Sequence, residues 1–246
     1  MISVCMAVFN GEHYLEEQLH SILSQLSADD EIIIVNDCSQ DGSTALVRAI
    51  ADPRILLLEN SKNCGPVASF ERAISAATGQ YIFLSDQDDI WMPGKVELVC
   101  RNLAREGVLV VVSDARVIND EKRILLDSFF QLRNSGPGFW KNLFKNGFIG
   151  CCMAFRSEAK TFILPFPARI AMHDQWVGLC CCVAGTSSFI GEKLIDYRRH
   201  ERTVTQLKRG SFLSAAGKRV RFVFSICVRL PRIWYWRLHQ GVNTAR

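Results

Sequence analysis

The sequence has no apolar run long enough to cross a bilayer. The longest nearly apolar stretch near the C-terminus, FVFSICV, falls far short of the roughly 20 residues that a spanning helix needs. The N-terminal stretch MISVCMAVFN lacks the basic region of a secretory signal and already has the pattern of a buried strand. We therefore expect a cytoplasmic protein that is not integral to a membrane, with the inner face of the cytoplasmic membrane as a further place of action.

Paired cysteines of the metal-binding or redox type are also missing. Ten cysteines are present, but none forms a C-x-x-C pair, and most lie among apolar or small residues. This usage is typical of small hydrophobic side chains in a reducing compartment. The first strand-like run is not followed by the G-x-G-x-x-G loop of dinucleotide-dependent oxidoreductases, which argues against that class.

The net charge of +4 is unevenly distributed along the chain. Residues 198–246 contain 12 Lys and Arg and one acid, Glu201, which gives +11. The remaining 17 basic and 24 acidic residues lie in 1–197 and give −7. With 48% hydrophobic and 22% charged residues, the composition is that of a globular protein. The basic C-terminal part therefore needs its own explanation.

The first hundred residues alternate between strand and helix patterns. Asn10 is placed to cap the first helix, and Pro66 suits the first turn of a later one. Short apolar runs predict four buried strands: ISVCMAV, EIIIV, RILLLEN and YIFLS. Their alternation with helices predicts an α/β fold with a doubly wound, mostly parallel sheet and helices on both faces.

The rest of the chain continues this pattern less regularly. VLVVVSD and GFIGCCMAF predict further strands, a helix is expected to begin near His173, and KLIDYRRH predicts a late strand. No repeat or clear linker interrupts the chain. We expect one domain over 1–205, with halves at 1–100 and 101–205, and a basic amphipathic helical segment at 206–246.

Polar segments follow each of the first four predicted strands. They read FNGE, VNDCSQDGS, ENSKNCG and LSDQDD. Because ligands of doubly wound sheets bind at the carboxyl ends of the strands, these segments are expected to converge into one site.

Three acids follow the fourth strand in YIFLSDQDDIW. Asp86, Asp88 and Asp89 repel one another, so a cation or a hydrogen-bond network must compensate them. If the chain stays extended, Asp86 and Asp88 point to one side, and their oxygens suit Mg²⁺ or Mn²⁺. The alternative is a capped turn ahead of the helix near Pro93. Asp37 likewise has two interpretations, as an acceptor for the imide N–H of a uracil or thymine ring or as part of an Asx turn.

The combination of motifs is more specific than any one of them. VCMAVFNGEHYLEEQLHSIL, EIIIVNDCSQDGS, ENSKNCGPVASF and GQYIFLSDQDDIW occur in this order and spacing. Together they resemble glycosyltransferase family 2, a GT-A-fold group that uses nucleotide sugars, and in particular its bacterial rhamnosyltransferase-like branch. The resemblance is specific over 1–100 and looser over 110–205, so the first half is expected to bind nucleotide and the second half acceptor.

The resemblance implies roles for residues of the nucleotide half. Asp37 would contact the base, Asp86 the ribose or metal, and Asp88 would be the principal metal ligand. The residues implied to line the nucleotide pocket and its neighbouring loop are Ala7, Phe9, Asn10, Asn63 and Gly65. The chain departs from the usual motif by having Ala7 in place of proline and Cys38 in place of a small polar or acidic residue. Neither change removes a ligand.

The resemblance also places a general base at the start of a helix in the second half. Inverting transfer needs a carboxylate that takes the proton of the acceptor hydroxyl. AMHDQW offers Asp174 for this role, with His173 in place of the usual first acid, to orient Asp174 or contact the acceptor. Asp114 is the alternative base, and Asp174 as an ordinary acid of a helix N-terminus is the structural alternative.

Later residues complete the implied site. His200, in YRRH, is a candidate ligand for the metal or the diphosphate, with Arg198 or Arg199 as alternative phosphate ligands. Gly150 and Trp176 are expected beside the acceptor.

The basic C-terminal segment suits a helix at a membrane interface. One helical face of it carries Phe212, Ala216, Val220, Val223, Phe224 and Cys227, and PRIWYWRLHQ follows with aromatic residues among arginines. We expect peripheral membrane contact through 211–238, with packing of the helix on the domain as the alternative. Nucleic acid is not an expected partner, because the first part of the chain is acidic and no known module is present.

The functional hypothesis is a metal-dependent, inverting glycosyltransferase that uses Mn²⁺ or Mg²⁺. Its donor would be a dTDP- or UDP-sugar, with rhamnose indicated only by the branch, and its acceptor a glycan or lipid-linked sugar of bacterial surface polysaccharide such as O-antigen. Two alternatives stay open. A nucleotidyltransferase acting on sugar phosphates would need a glycine-rich basic loop, which AVFNGEHYL is not. A non-catalytic carbohydrate- or lipid-binding module would leave the acids without metal.

Overall fold

The computed structural model describes residues 1–168, 170–199 and 212–243. The strands are β1 (Ile2–Val8), β2 (Glu31–Asn36), β3 (Ile55–Glu59), β4 (Tyr81–Ser85), β5 (Ile90–Trp91), β6 (Val108–Ile118), β7 (Ile124–Leu126), β8 (Met153–Arg156) and β9 (Thr186–Arg198). The helices are α1 (Glu12–Leu23), α2 (Ser43–Ile50), α3 (Pro66–Ala76), α4 (Lys95–Leu103), α5 (Phe129–Arg133), α6 (Phe139–Phe144), α7 (Lys160–Ile163), α8 (His173–Ala184) and α9 (Phe212–Asn243).

The first four strands form a parallel sheet in the order β3-β2-β1-β4. The central residues of β1, β2 and β4 are fully buried because helices cover both faces, which explains why these strands are nearly continuous apolar runs, while the edge strand β3 is only partly buried. Pro66 occupies the first turn of α3 as expected. The register pairs Val8 with Asn36, so β1 and β2 end side by side and deliver their following loops to one edge.

The second half extends the same sheet instead of forming another one. β8 runs antiparallel between β4 and β6, while β9 runs parallel to β6 on its other side and pairs with the short β5. Here GFIGCCMAF is only partly a strand, because Gly150–Cys152 form a turn of 3₁₀ helix before β8. The expected mostly parallel α/β architecture is confirmed.

Residues 119–149 connect β6 to the turn that precedes β8, and we call this segment the excursion. It contains β7, which pairs antiparallel with β6, and the helices α5 and α6. Asp114 anchors it, because Oδ1 accepts from the Phe130 amide at 2.8 Å and Oδ2 accepts from the Ser128 hydroxyl at 2.5 Å. Oδ1 also accepts from the Ala115 amide. Asp114 is therefore a buried structural acid, and its interpretation as an alternative base is wrong.

α9 packs on the domain through one face. Phe222, Ile226, Arg229 and Ile233 are buried, and the Arg229 guanidinium donates to the carbonyls of Leu164 and Pro165. On another face, Val223, Phe224 and Cys227 of the expected apolar surface are exposed.

Within the described part of the chain, none of the helices joins the length and the apolar character that crossing a membrane requires. All ten cysteines are free thiols.

Candidate active site

A side chain in the loop after β4 binds the backbone of the loop after β1. Gln87 lies between two of the clustered acids, and its Oε1 accepts from the Phe9 amide at 2.8 Å while its Nε2 donates to the Phe9 carbonyl at 3.2 Å. Asn10 does not cap α1, as was expected, because the helix begins after Gly11 and has no side-chain cap. Its backbone is left-handed (φ 50°), and its Oδ1 accepts from the Gln40 amide of the loop after β2.

Asp37 organises the loop that follows β3. Its carboxylate is buried and accepts from Asn60 Nδ2 at 2.7 Å and from the amides of Cys64 and Gly65, each at 2.8 Å. Gly65 has φ +81°, a conformation that favours glycine, and it precedes α3. Asn63 is exposed, and its Nδ2 donates to the Asp37 carbonyl at 3.3 Å. Because a carboxylate has about four acceptor positions, Asp37 can still accept one more donor, and its contact with a base stays a prediction.

The Asp86 carboxyl is unusually hard to ionise. Burial raises its pKa to about 7, and the charges of Asp88 and Asp174 add to this effect. Burial and the charges of Asp88 and Asp86 also raise the pKa of Asp89. Asp89 is almost fully buried; its Oδ1 accepts from the Arg198 amide at 3.0 Å, and its Oδ2 is buried without a partner. The charged forms of the three carboxyl groups, which we call the trio, therefore destabilise one another, as their spacing in the sequence predicts.

Two buried protein cations compensate part of this negative charge. Lys95 of α4 is fully buried; its ammonium lies 4.9 Å from the centre of the Trp91 ring and 3.4 Å from the Cys151 carbonyl. Burial lowers the pKa of Lys95, and the Asp89 charge opposes this shift.

Arg198 is the second cation. Its Nε donates to the Asp88 carbonyl at 3.0 Å, its Nη1 to the Asp120 carbonyl at 3.3 Å and its Nη2 to Glu17 at 2.8 Å. Because the guanidinium is buried and engaged on all sides, its interpretation as a diphosphate ligand is wrong.

The residues present fit a hard divalent cation at the open side of the trio. Asp86 and Asp88 are partly exposed and supply carboxylate oxygens of the kind that Mg²⁺ and Mn²⁺ prefer. The ligand atoms of Asp86, Asp89 and Cys151 lie within 4.8 Å of one another, but a hydrogen bond with Cys152, burial and the neighbouring acids raise the pKa of the Cys151 thiol, which makes it a poor ligand for these ions. His200 lies outside the described residues.

Asp174 lies in the first turn of α8, as expected. Burial raises the pKa of its carboxyl to about 6, while the Gln175 amide, the Asn146 side chain, the Gly150 amide and the charge of Arg133 all favour its anion. Oδ1 accepts from the Gln175 amide at 2.5 Å and from Asn146 Nδ2 at 3.4 Å. The start of α8 and the end of β4 meet at one site through Gly150 and Cys151, because a Cβ at Gly150 would lie 3.8 Å from the Asp174 Cβ and the ligand atoms of Cys151 and Asp86 lie within 4.8 Å of each other.

His173 is a buried, neutral ring beside Asp174. It stacks on Phe70 with ring centres 4.0 Å apart, and burial lowers its pKa to about 3. Its Nε2 is buried without a partner and faces Gly150, where a Cβ would lie 3.2 Å from that nitrogen. A side chain at Gly150 would therefore crowd His173, and the role of either residue towards the acceptor stays a prediction.

Trp176 is not at the acceptor side. It is fully buried, donates from Nε1 to the Ile163 carbonyl at 2.9 Å and lies 5.5 Å below the Arg229 guanidinium. The prediction that it contacts an acceptor is wrong. Asp174 and Trp176 are two positions apart on a helix and therefore point in different directions.

Four residues that position the site were missed from the sequence. Gln87 and Asn146 hold functional loops through amide side chains, Lys95 supplies a buried charge, and Gln18 of α1 donates from Nε2 to the Asp86 carbonyl at 2.9 Å. Of these four residues, only Gln87 is indicated by the sequence, because the middle residue of an extended Asp-Gln-Asp run points away from both acids.

Residues 3–161 match the sequence profile of the family described as Glycosyl transferase family 2. The chain belongs to this family. The resemblance noted in the motifs is thereby confirmed. Among curated relatives, the chain is 27% identical over 168 residues to the UDP-Glc:alpha-D-GlcNAc-diphosphoundecaprenol beta-1,3-glucosyltransferase WfgD of Escherichia coli, covering 68% of this chain and 64% of the relative. The chain thus spans slightly less than two thirds of that protein.

Solved structures of other glycosyltransferases share the fold. TarS of S. aureus in complex with UDP-GlcNAc superposes with a TM-score of 0.72 at 15% identity, over 92% of this chain and 66% of that one. The mannosyltransferase PcManGT of Pyrobaculum calidifontis in complex with GDP-Man and Mn²⁺ gives 0.62 at 20% identity, over 82% and 57%. The expected GT-A fold is confirmed by this likeness.

Proposed function

We propose that this chain transfers a sugar from a nucleotide diphosphate to a hydroxyl group with inversion at the anomeric carbon. The observation that carries the proposal is that Gly150 and Cys151 lie between the two acids: a Cβ at Gly150 would lie 3.8 Å from the Asp174 Cβ, and the ligand atoms of Cys151 and Asp86 lie within 4.8 Å of each other. One acid follows a strand of the nucleotide half and the other begins a helix of the second half, as a donor site and a base on opposite sides of a reacting carbon require.

Each acid has a distinct role in this proposal. Asp174 takes the proton of the acceptor hydroxyl while that oxygen attacks the anomeric carbon from the face opposite the diphosphate. Asp86 and Asp88 hold Mn²⁺ or Mg²⁺, which when bound offsets the charge that develops on the leaving diphosphate. The Gln175 and Gly150 amides and Asn146 keep Asp174 oriented, because all three favour its anionic form. His173 stays neutral and fixes the wall behind the acceptor.

The donor is a UDP- or dTDP-sugar in this proposal. The donor-binding residue in this proposal is Asp37, which holds the loop that contains Asn63 and Gly65. Its carboxylate retains one acceptor position for an imide N–H, a group that uracil and thymine carry and adenine does not. The WfgD name includes UDP-Glc, and TarS was solved with UDP-GlcNAc, which supports UDP. Rhamnose rests on the likeness of SDQDDIW to one branch alone.

The acceptor is a lipid-linked or growing glycan of the bacterial surface. The acceptor named for WfgD is a sugar on diphosphoundecaprenol, which supports a lipid carrier. The exposed side of α9 suits the surface of the cytoplasmic membrane, because it presents Phe224, Val228, Trp234, Tyr235 and Leu238 to solvent in a basic segment. α9 would lie on the inner leaflet without crossing it.

Nucleotide-dependent thermal stabilisation and donor hydrolysis test the proposal together. UDP or dTDP with Mn²⁺ should raise Tm, and EDTA should abolish the rise. UDP-glucose and dTDP-rhamnose hydrolysis should require Mn²⁺ or Mg²⁺ and should disappear in Asp88→Ala. A Tm that no nucleotide changes, or hydrolysis that persists in Asp88→Ala, would contradict it.

A further inference from the structure

An apolar cavity of about 250 Å³ lies between the excursion and the sheet. β7 contributes Leu125 and Leu126 to its walls, and α5 contributes Phe129 and Leu132. Its remaining walls come from β6, β9 and the residue that follows β9. The cavity therefore lies where the excursion folds back on the sheet.

The walls of this cavity are suited to hydrocarbon. Leu125 is 59% exposed and Leu132 is 46% exposed, so apolar surface at the mouth is left in water. Val117 and Tyr197 are buried beneath it, and Tyr197 packs edge-on against Phe129 with ring centres 5.8 Å apart. The volume is below the roughly 300 Å³ at which pockets for drug-sized ligands begin, so a nucleotide does not fit. A short piece of an apolar chain does.

Two positively charged side chains lie next to this apolar surface. Arg199 is the only charged residue among those that line the cavity. Arg133, one turn after Phe129 on α5, lies 5.6 Å from the centre of the Phe129 ring, and its charge lowers the pKa of Asp174. The same short helix thus borders both the cavity and the candidate base, and an anion at the mouth of the cavity would meet favourable charge.

We propose that the cavity binds the first carbons of the hydrocarbon chain of a lipid-phosphate acceptor, with Arg199 beside the phosphate. This inference rests on the proposed sugar transfer, because a chain held here directs the attached sugar past α5 towards Asp174. The ligand of the cavity is a single acceptor molecule and is distinct from the bilayer surface on which α9 would lie. The cavity would then make chain length and phosphate, as well as the sugar, determinants of acceptor choice.

Binding of simple amphiphiles tests the cavity without turnover. The full chain carrying ¹³C-methyl leucine is titrated with decyl phosphate, decyl maltoside and inorganic phosphate, each below any micelle concentration. Decyl phosphate should shift the methyl signals of Leu125, Leu126 and Leu132, and inorganic phosphate at equal concentration should not. No shift at these methyls would overturn the proposal, as would a shift that appears only with anionic phospholipid vesicles.

Neighbouring leucine and isoleucine residues on β7 provide a matched pair of variants. Leu125→Asn should weaken decyl phosphate binding about tenfold, since it removes most of one buried leucine contact. Ile124→Asn, at a position of similar exposure that does not line the cavity, should leave binding unchanged. Equal weakening by both variants would overturn the proposal.

Arg199→Gln should weaken decyl phosphate several-fold and leave decyl maltoside unchanged. Equal weakening of both ligands would contradict the role given to the guanidinium. Donor hydrolysis by the wild-type protein is measured in parallel. Methyl shifts without hydrolysis would contradict sugar transfer and support the cavity, while hydrolysis without methyl shifts would do the reverse.

Discussion

The Gln87 side chain binds both backbone groups of Phe9, although 78 positions separate the two residues. The Gln87 amide therefore fixes the position of the loop after β1 relative to Asp86 and Asp88, the acids proposed to hold the metal. Gly11 leaves room for it, because a Cβ at that position would lie 2.6 Å from the Gln87 amide. The geometry of the site thus depends on a residue that performs no chemistry.

Gln87→Glu should weaken nucleotide binding more than it weakens the fold. The carboxylate cannot donate to the Phe9 carbonyl, and it adds a fourth negative charge to the trio. We expect UDP affinity in Mn²⁺ to fall about tenfold, equivalent to about 1.4 kcal/mol, in calorimetric titration. Gln80→Glu, a change of the same kind on the exposed loop before β4, is the control. Equal UDP affinity in wild type and Gln87→Glu would contradict this role.

Asp174→Asn should lower transfer or donor hydrolysis by about 10² to 10⁴, the usual contribution of a general base. In the wild type, kcat/KM should fall as the pH drops through about 6, because the protonated carboxyl cannot accept a proton. A pH profile that stays flat between 5 and 8 would exclude Asp174 as the base.

The same substitution should stabilise the protein at alkaline pH. The pKa of Asp174 is raised from 3.8 to about 6 in the folded state, so folding favours the protonated form. The stability that this provides is complete below pH 3.8 and is lost as the pH rises through about 6. Asp174→Asn should therefore increase the free energy of unfolding by on the order of 2 kcal/mol at pH 8 and little at pH 4. Urea unfolding at both pH values measures the difference.

Arg198→Lys should destabilise the fold. A lysine cannot reach the Asp88 carbonyl, the Asp120 carbonyl and Glu17 together, so buried acceptors lose their donors. We expect a loss of about 2 to 4 kcal/mol in urea unfolding. Arg101→Lys, in an exposed pair with Glu97, should change stability by less than about 1 kcal/mol. Similar losses in both variants would contradict the assignment.

Trp176→Phe separates core packing from acceptor contact. The Ile163 carbonyl would lose its buried donor and the core would lose volume, so stability should fall by about 1 to 3 kcal/mol. The KM for an acceptor should not change, because Trp176 does not reach the site. An increase in that KM without loss of stability would restore the role expected from the sequence.

Removing the aromatic side chains from α9 tests its membrane role. Trp234→Ser with Tyr235→Ser should reduce sedimentation with anionic vesicles, and binding by the wild type should weaken as salt rises. Leu56→Ser, an exposed apolar residue on β3, is the control. Vesicle binding unaffected by the double change would exclude this face.

The sequence predicts residues 1–100 better than residues 101–205. Strands β1, β2 and β4 are buried on both faces, so their apolar runs identify them without tertiary information. Asp114 follows an apolar run in the sequence just as Asp86 does, yet it lies inside β6 and anchors a loop through Ser128 and Phe130. Only the path of the excursion distinguishes the two acids, and that path has no periodic pattern.

The sequence also does not predict which face of a helix packs on the domain. α9 has apolar residues on more than one face, so its pattern does not say which face docks, and Phe222 and Ile226 are buried while Phe224 is 68% exposed. The start of α8 is predicted correctly. The burial of Trp176 depends on the packing of α7 and α9 against α8, which the sequence pattern of α8 does not reveal.

The excursion begins after Ile118 and ends before the turn that leads to Met153, and it is attached to β6 by the pairing of β7 and by the Asp114 carboxylate. A segment attached in this way can be exchanged between related chains while strands β1 to β4 keep their register. If the cavity it encloses selects the acceptor, natural recombination at these two junctions would diversify surface glycans without changing which activated sugar each enzyme consumes.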